Sequence, residues 1–197
     1  MTNPDLTALL GSRICHDLIS PIGAIGNGLE LMQMSNTVDG PEAALITESL
    51  NNASARIRFY RLAFGSASEG QTLSIHEIKD IFGKLNANEK VKTRVSLTTP
   101  LARHNAKLVG LMYLCAETAL PYGGTIELTQ DASCWSVTAT GARLTTNQRA
   151  WNALRGDTLP DVTPAQIQFV LLPEAVRQFN RKLSLEISDS VLQLSVT

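Results

Sequence analysis

Residues 15–25 read Cys15-His16-Asp17-Leu18-Ile19-Ser20-Pro21-Ile22-Gly23-Ala24-Ile25, and their reading decides how the first third of the chain folds. The apolar series Cys15, Leu18, Ile22, Ile25, Leu29 and Met32 recurs at spacings of 3, 4, 3, 4 and 3, the period of a heptad-like helix face. At roughly 100° per residue, His16 points about 150–160° away from the centre of that seam. A helix that buries one stripe and carries a histidine on the opposite side offers that ring to solvent or to a partner. The helical pattern runs over residues 5–35 although Gly11, Gly23, Gly26 and Gly28 each weaken it by about 1 kcal/mol relative to alanine, so packing must hold it. Pro21 lacks a backbone donor and frees the carbonyl of Asp17, which predicts a slight bend just after the histidine.

Working outward, residues 36–41 form a turn cluster, with Pro41 suited to the first turn of a second helix over residues 41–63. Its seam is Ala43, Ile46, Leu50, Ala53, Ile57, Tyr60 and Phe64, again alternating by 3 and 4. Two long helices joined by a short turn make an antiparallel hairpin. A lone hairpin has too little interior to bury both seams, and pairing two hairpins into a four-helix bundle solves this. A homodimer through residues 5–64 is the expectation.

The small and polar run Gly65-Ser66-Ala67-Ser68-Glu69-Gly70-Gln71 has the composition of a linker and places a domain boundary. The expected domains are therefore a helical hairpin over 1–67 and a second unit over 72–197. In the second, the patterns predict helices over 74–85, 105–120, 146–154 and 164–179. Strands are predicted over 95–99, 125–130, 135–140, 183–187 and 191–196, the last two forming a hairpin over Ser188-Asp189-Ser190. The fold class is α+β, with a sheet covered by helices on one face.

Composition narrows the function classes. The chain has 197 residues, 44% hydrophobic and 18% charged, with a net charge of −1. That charge gives no bulk attraction to nucleic acid or an anionic membrane, so neither is an expected partner. Apolar runs such as residues 169–173 are too short to span a bilayer, and residues 1–5 lack a basic leader region, so a cytoplasmic protein is expected. Cys15, Cys115 and Cys134 are widely separated with no Cys-x-x-Cys, which points to buried apolar residues and neither a disulfide framework nor a metal site.

An exposed imidazole beside a carboxylate is well suited to attack on phosphorus. Neutral histidine has a lone pair on one ring nitrogen and a proton on the other, and near neutral pH it needs no separate base. Asp17 can accept the proton of the second nitrogen and so fix the tautomer. Arg13, three residues earlier, lies on an adjoining face and could contact a phosphoryl group or an acidic partner. Arg56, Arg58 and Arg61 reach the same region only if the end of the second helix lies beside the start of the first. Ser20, one turn beyond His16, could line the contact face. For the arginines and for Ser20 the plain alternative is a solvated helix face. His76, His104, Trp135 and Trp151 read as structural or surface residues.

The spacing His16-Asp17-Leu18-x-x-Pro21-Ile22-x-Ala24-Ile25 resembles the phosphoacceptor box of dimeric sensor histidine kinases. With Phe59-Tyr60-Arg61-Leu62-Ala63-Phe64-Gly65 at the end of the second helix, the whole chain resembles the ChpT-type histidine phosphotransferases of alphaproteobacterial phosphorelays. The resemblance implies a dimeric hairpin bundle followed by an α/β sandwich, a degenerate version of the kinase ATPase domain. It implies that His16, with Asp17, takes a phosphoryl group from one receiver-domain aspartate and passes it to another. Arg13, Ser20, Arg56 and Arg61 become candidates for partner or phosphoryl contact.

The departures from a working kinase matter for cofactors. The helix running into Gly123-Gly124 reads Leu114-Cys115-Ala116-Glu117-Thr118-Ala119-Leu120-Pro121, without the asparagine that would hold Mg²⁺. Ala139 and Arg143 stand where the resemblance would place the adenine-binding aspartate and a loop glycine, and no glycine-rich lid follows. No cofactor is expected on this chain, ATP binding is not expected, and Mg²⁺ is expected on the partner receiver. The alternatives are a non-catalytic dimeric adaptor that docks receivers, a residual ATP-dependent kinase, and a phosphatase toward a receiver.

Overall fold

A computed structural model describes residues 6–35, 40–68, 70–85, 90–159 and 161–197. Residues 36–39 of the expected turn, Glu69 of the expected linker and Pro160 lie outside these.

Helix α1 (Leu6–Ser35) and helix α2 (Pro41–Ala63) pack along one another as the hairpin. Pro41 sits in the first turn of α2, where its missing donor costs nothing. At Gly28 the helices approach so closely that a Cβ would stand 2.5 Å from Cγ1 of Ile46, and any larger residue would force that side chain to move. The two seams do not bury as single stripes. In α1, Leu18, Ile25 and Met32 are half-buried while Cys15, Ile22 and Leu29 are exposed; in α2, Ala53 and Tyr60 are buried while Leu50 and Ile57 are exposed. Each seam therefore splits into alternate positions, one set turned to the hairpin partner and one set turned outward. Cys15 and the half-exposed Cys134 also depart from the expected burial, and of the three cysteines only Cys115 is fully enclosed.

The rest of the chain builds a five-stranded sheet in the order β2-β4-β5-β7-β6, from β2 (Val91–Ser96), β4 (Gly124–Asp131), β5 (Cys134–Thr140), β6 (Leu183–Ile187) and β7 (Val191–Val196). The β2–β4 pair is parallel and the remaining pairs are antiparallel. The alternation in β7 is the half-buried kind its sequence predicts: Leu192, Leu194 and Val196 are fully buried, and Val191, Gln193 and Ser195 are not. A second, two-stranded pairing joins β1 (Thr72–Leu73) to β3 (Leu101–Ala102).

Helices α3 (Ile75–Leu85), α4 (Arg103–Thr118), α5 (Gln148–Ala153) and α6 (Gln168–Gln178) complete the unit. Helix α4 is buried from Leu108 to Ala116, because the sheet lies on one side and α2 and α6 on others. Three elements contribute to a ring cluster in the core: Phe59 of α2, Phe82 of α3 and Tyr113 of α4, with centroids 5.1–5.6 Å apart. The end of α2 is thus part of the core of the second unit. Its last carbonyls are capped from α4, by Arg103 on Arg61 and on Leu62 (2.9 Å) and by Lys107 on Gly65 (3.0 Å). Burial and the neighbouring Arg103 charge pull the Lys107 ammonium below its ordinary value.

Some boundaries differ from the sequence reading. The first long strand is 91–96 and not 95–99, since Val91, Thr93 and Val95 form its inward series and Pro100 follows. The expected helix over 164–179 is broken. Thr163 and Gln166 close a capping box over a single 3₁₀ turn, Pro164–Gln166, before α6 begins.

Candidate functional site

The antiparallel register brings the end of α2 beside the start of α1, and a polar cluster forms at that meeting point. The His16 ring is 85% exposed, and its Nδ1 lies 3.0 Å from Oδ1 of Asp17. The Asp17 side chain is only 12% exposed. Its Oδ2 accepts from Nε of Arg13 at 2.8 Å and from the hydroxyl of Tyr60, so both carboxylate oxygens are engaged. Arg13 also donates through Nη1 to the carbonyl of Ala165 at 3.2 Å, which ties α1 to the 3₁₀ turn of the second unit.

The electrostatics of this cluster follow from its contacts. Burial alone would raise the Asp17 carboxyl, but hydrogen bonds from Tyr60 and His16 and the charge of Arg13 outweigh it and hold the group below the ordinary carboxylate range. Burial, followed by the bond to Asp17, pushes the Tyr60 phenol up to about 12. Near neutral pH the cluster therefore holds an ionised Asp17, a protonated Tyr60 and a charged Arg13. An ionised carboxylate can only accept, so the proton of a neutral His16 ring lies on Nδ1. Nε2 then carries the lone pair, on a ring open to solvent.

His16 opens onto a cleft of about 860 Å³ between the hairpin and the second unit. Arg13, Asp17, Ser20 and Arg56 share its lining with His16, as do Lys90 and Glu117 from the second unit. Of the arginines singled out from sequence, Arg13 is engaged with Asp17 and Ala165, and Arg56 faces the cleft. Arg61 does not; it lies at a separate groove with Arg103 and Gln71, and its carbonyl receives Arg103. Arg58 is turned toward α3, with Nη1 at 3.1 Å from Oδ2 of Asp80. Among the described residues no group of three or more His, Cys, Asp or Glu could hold a metal ion, and no helix is long and apolar enough to cross a membrane.

Three site residues escaped the sequence reading. Tyr60 appears in the sequence as a seam residue and as part of the Phe59–Gly65 stretch, with no role at the site. A phenol on a buried seam needs a partner for its hydroxyl, and in an antiparallel hairpin that partner sits at the start of the first helix. Lys90 and Glu117 carry no local signal, because only the tertiary fold brings them to His16.

The position where the resemblance to kinases would place an adenine-binding carboxylate is Ala139. It is fully buried in β5, paired with Ile126 and Leu192.

Comparison with known proteins gives a family match, a curated relative and similar solved structures. A family model described as the histidine phosphotransferase C-terminal domain matches residues 75–191. Over 131 residues the chain is 41% identical to the protein phosphotransferase ChpT of Brucella abortus (strain 2308), a match covering 66% of this chain and 62% of that protein. The chain thus spans less than two thirds of the length of the curated relative it matches. A solved structure described as a bacterial phosphotransferase superposes with a TM-score of 0.81 at 29% identity, covering 100% of this chain and 98% of the other. A histidine kinase domain from Erythrobacter litoralis EL346 is looser, at TM-score 0.43 and 12% identity over 98% of this chain and 91% of that one.

Proposed function

The chain belongs to the histidine phosphotransferase family, and from that premise we propose that His16 relays a phosphoryl group between the aspartates of two receiver domains. The observation that carries the proposal is the pairing of an 85% exposed His16 ring with an Asp17 that takes its Nδ1 side. In the forward step the Nε2 lone pair attacks phosphorus of an aspartyl phosphate. The N–P bond forms, the P–O bond to the aspartate breaks, and that carboxylate leaves with the electron pair. The Nδ1 proton stays on the ring, and Asp17 stabilises the phosphorylated imidazole through it. In the second step the aspartate of another receiver attacks phosphorus, and the N–P bond breaks back to neutral His16.

Phosphoryl transfer depends on in-line geometry and on positive charge around the equatorial oxygens. Arg56 and Lys90 line the cleft together with Arg13 and are placed to contribute, and the Mg²⁺ belongs to the receiver. Ser20 and Pro21 form part of the face a receiver covers. No ATP enters the reaction, in keeping with Ala139 at the position where a kinase would read adenine.

We also propose that two chains associate through their hairpins. Ile22 (59% exposed) and Leu29 of α1 and Leu50 (55%) and Ile57 of α2 are apolar positions at heptad-like spacing that a single chain leaves about half exposed. A second hairpin covers such positions in a four-helix bundle, leaving His16 on the outside.

The test is transfer from a receiver domain charged with radiolabelled acetyl phosphate, without ATP. Acid-labile label on the wild-type chain and none on His16→Ala is the expected result. Receiver binding that is equal in both proteins, with label on neither, would make the chain a docking adaptor.

A further inference from the structure

Beyond His16 and Asp17, a third residue is built into the reaction centre. We propose that Tyr60 is a positioning residue for the relay: its hydroxyl, with Nε of Arg13, pins Oδ2 of Asp17 so that Oδ1 faces Nδ1 of His16 and Nε2 is the nitrogen that reacts. The inference rests on the phosphotransfer reading above for its functional sense, but its structural content can be tested without any transfer.

The geometry leaves little alternative for the hydroxyl. Tyr60 is buried, its ring stacks on Phe64 at 5.3 Å and tilts against Phe59 at 6.0 Å, and these contacts fix where the phenol oxygen points. Within α1 the carboxylate is held by Arg13, one turn earlier, and by the adjacent His16 ring; the Tyr60 hydroxyl is the tie that comes from outside that helix. Of its two oxygens, Oδ2 receives both Arg13 and Tyr60, and Oδ1 is thereby left to the histidine. The two donors come from different parts of the molecule. Arg13 is anchored to the Ala165 carbonyl of the second unit, and Tyr60 belongs to the segment of α2 that is embedded in that unit's core. The orientation of the nucleophile is therefore referred to the second unit through two independent ties, although no residue of that unit touches Asp17 directly among the described contacts.

A hydrogen bond to an ionised carboxylate is worth about tenfold or more in a process that depends on it. Tyr60→Phe removes the hydroxyl and keeps the packed ring, so it isolates the hydrogen bond. Two measurements on the 197-residue chain test the assignment. Ring-nitrogen NMR of His16 reports the tautomer without any phosphodonor: wild type is expected to show the Nδ1–H form in excess, and Tyr60→Phe a clear shift toward Nε2–H.

The second measurement is the transfer rate from a receiver domain charged with acetyl phosphate, expected to fall about tenfold in Tyr60→Phe. Combining Tyr60→Phe with Asp17→Asn should cost no more than Asp17→Asn alone, because the tyrosine acts through that carboxylate. An unchanged tautomer in Tyr60→Phe, or losses that multiply in the double variant, would overturn the proposal. If the wild-type chain takes no label, the phosphotransfer reading fails, and the tautomer measurement still decides whether Tyr60 orients His16.

Discussion

At the scale of single residues, the unusual group is Asp17, a carboxylate with both oxygens engaged that is held below its ordinary range. Its folded value is depressed, so its contribution to stability is present above the unfolded value of about 3.9 and is lost as pH falls through the lower folded value. Tyr60 has the opposite sign. Its contribution is complete below about 10 and disappears as pH rises toward about 12. Two outcomes are expected from thermal melts across pH and from tyrosinate absorbance, using Tyr60→Phe to identify the signal. Asp17→Asn should flatten the acid limb of the stability profile, and it should let the Tyr60 phenol ionise at lower pH. A Tyr60 titration indifferent to Asp17→Asn would contradict the contact. The His16–Asp17 pair was legible in the sequence because neighbours on a helix are neighbours in space at any fold. Tyr60 was not, since its link to Asp17, 43 residues away in sequence, exists only once the register of the two helices is set.

At the scale of elements, period carried most of the information. The long helices and the β6–β7 hairpin show clean periods and were readable, whereas β1 and β3, at two residues each, are too short to display one. The seam of α1 also reads as one stripe in sequence, but the structure divides it between an inner set and an outer set. This division yields a direct expectation: Ile22→Lys combined with Leu50→Lys should leave a folded monomer at micromolar concentration in sedimentation, while the wild type sediments as a dimer. A monomeric wild type would remove the need for a bundle. A different contact tests the docking of α2 onto α4, where a Cβ on Gly110 would meet Cβ and Cα of Ala63 at 3.1 and 3.2 Å. Gly110→Leu should cost about 1–3 kcal/mol in denaturant unfolding through overpacking. A neutral effect would mean that the two helices separate easily.

At the scale of the whole molecule, a hairpin that displays an exposed His16 is joined to an α+β unit that does not resemble an independent attachment. Phe59, Leu62 and Ala63 of α2 are core residues shared with α3 and α4, and Arg13 reaches Ala165 across the same junction. The cleft that His16 faces exists because of this junction, and residues from both sides line it. The sequence hinted at the two units through a change of pattern after Gly65, but nothing local could show how deeply the end of α2 enters the second. The most direct measurement of the relay is phosphorus NMR of the chain after transfer from a charged receiver in the absence of ATP. A single phosphohistidine resonance of the Nε2 isomer, absent in His16→Ala, is the expected result. A phosphoryl group on Nδ1 of His16, or one that persists in His16→Ala, would contradict it.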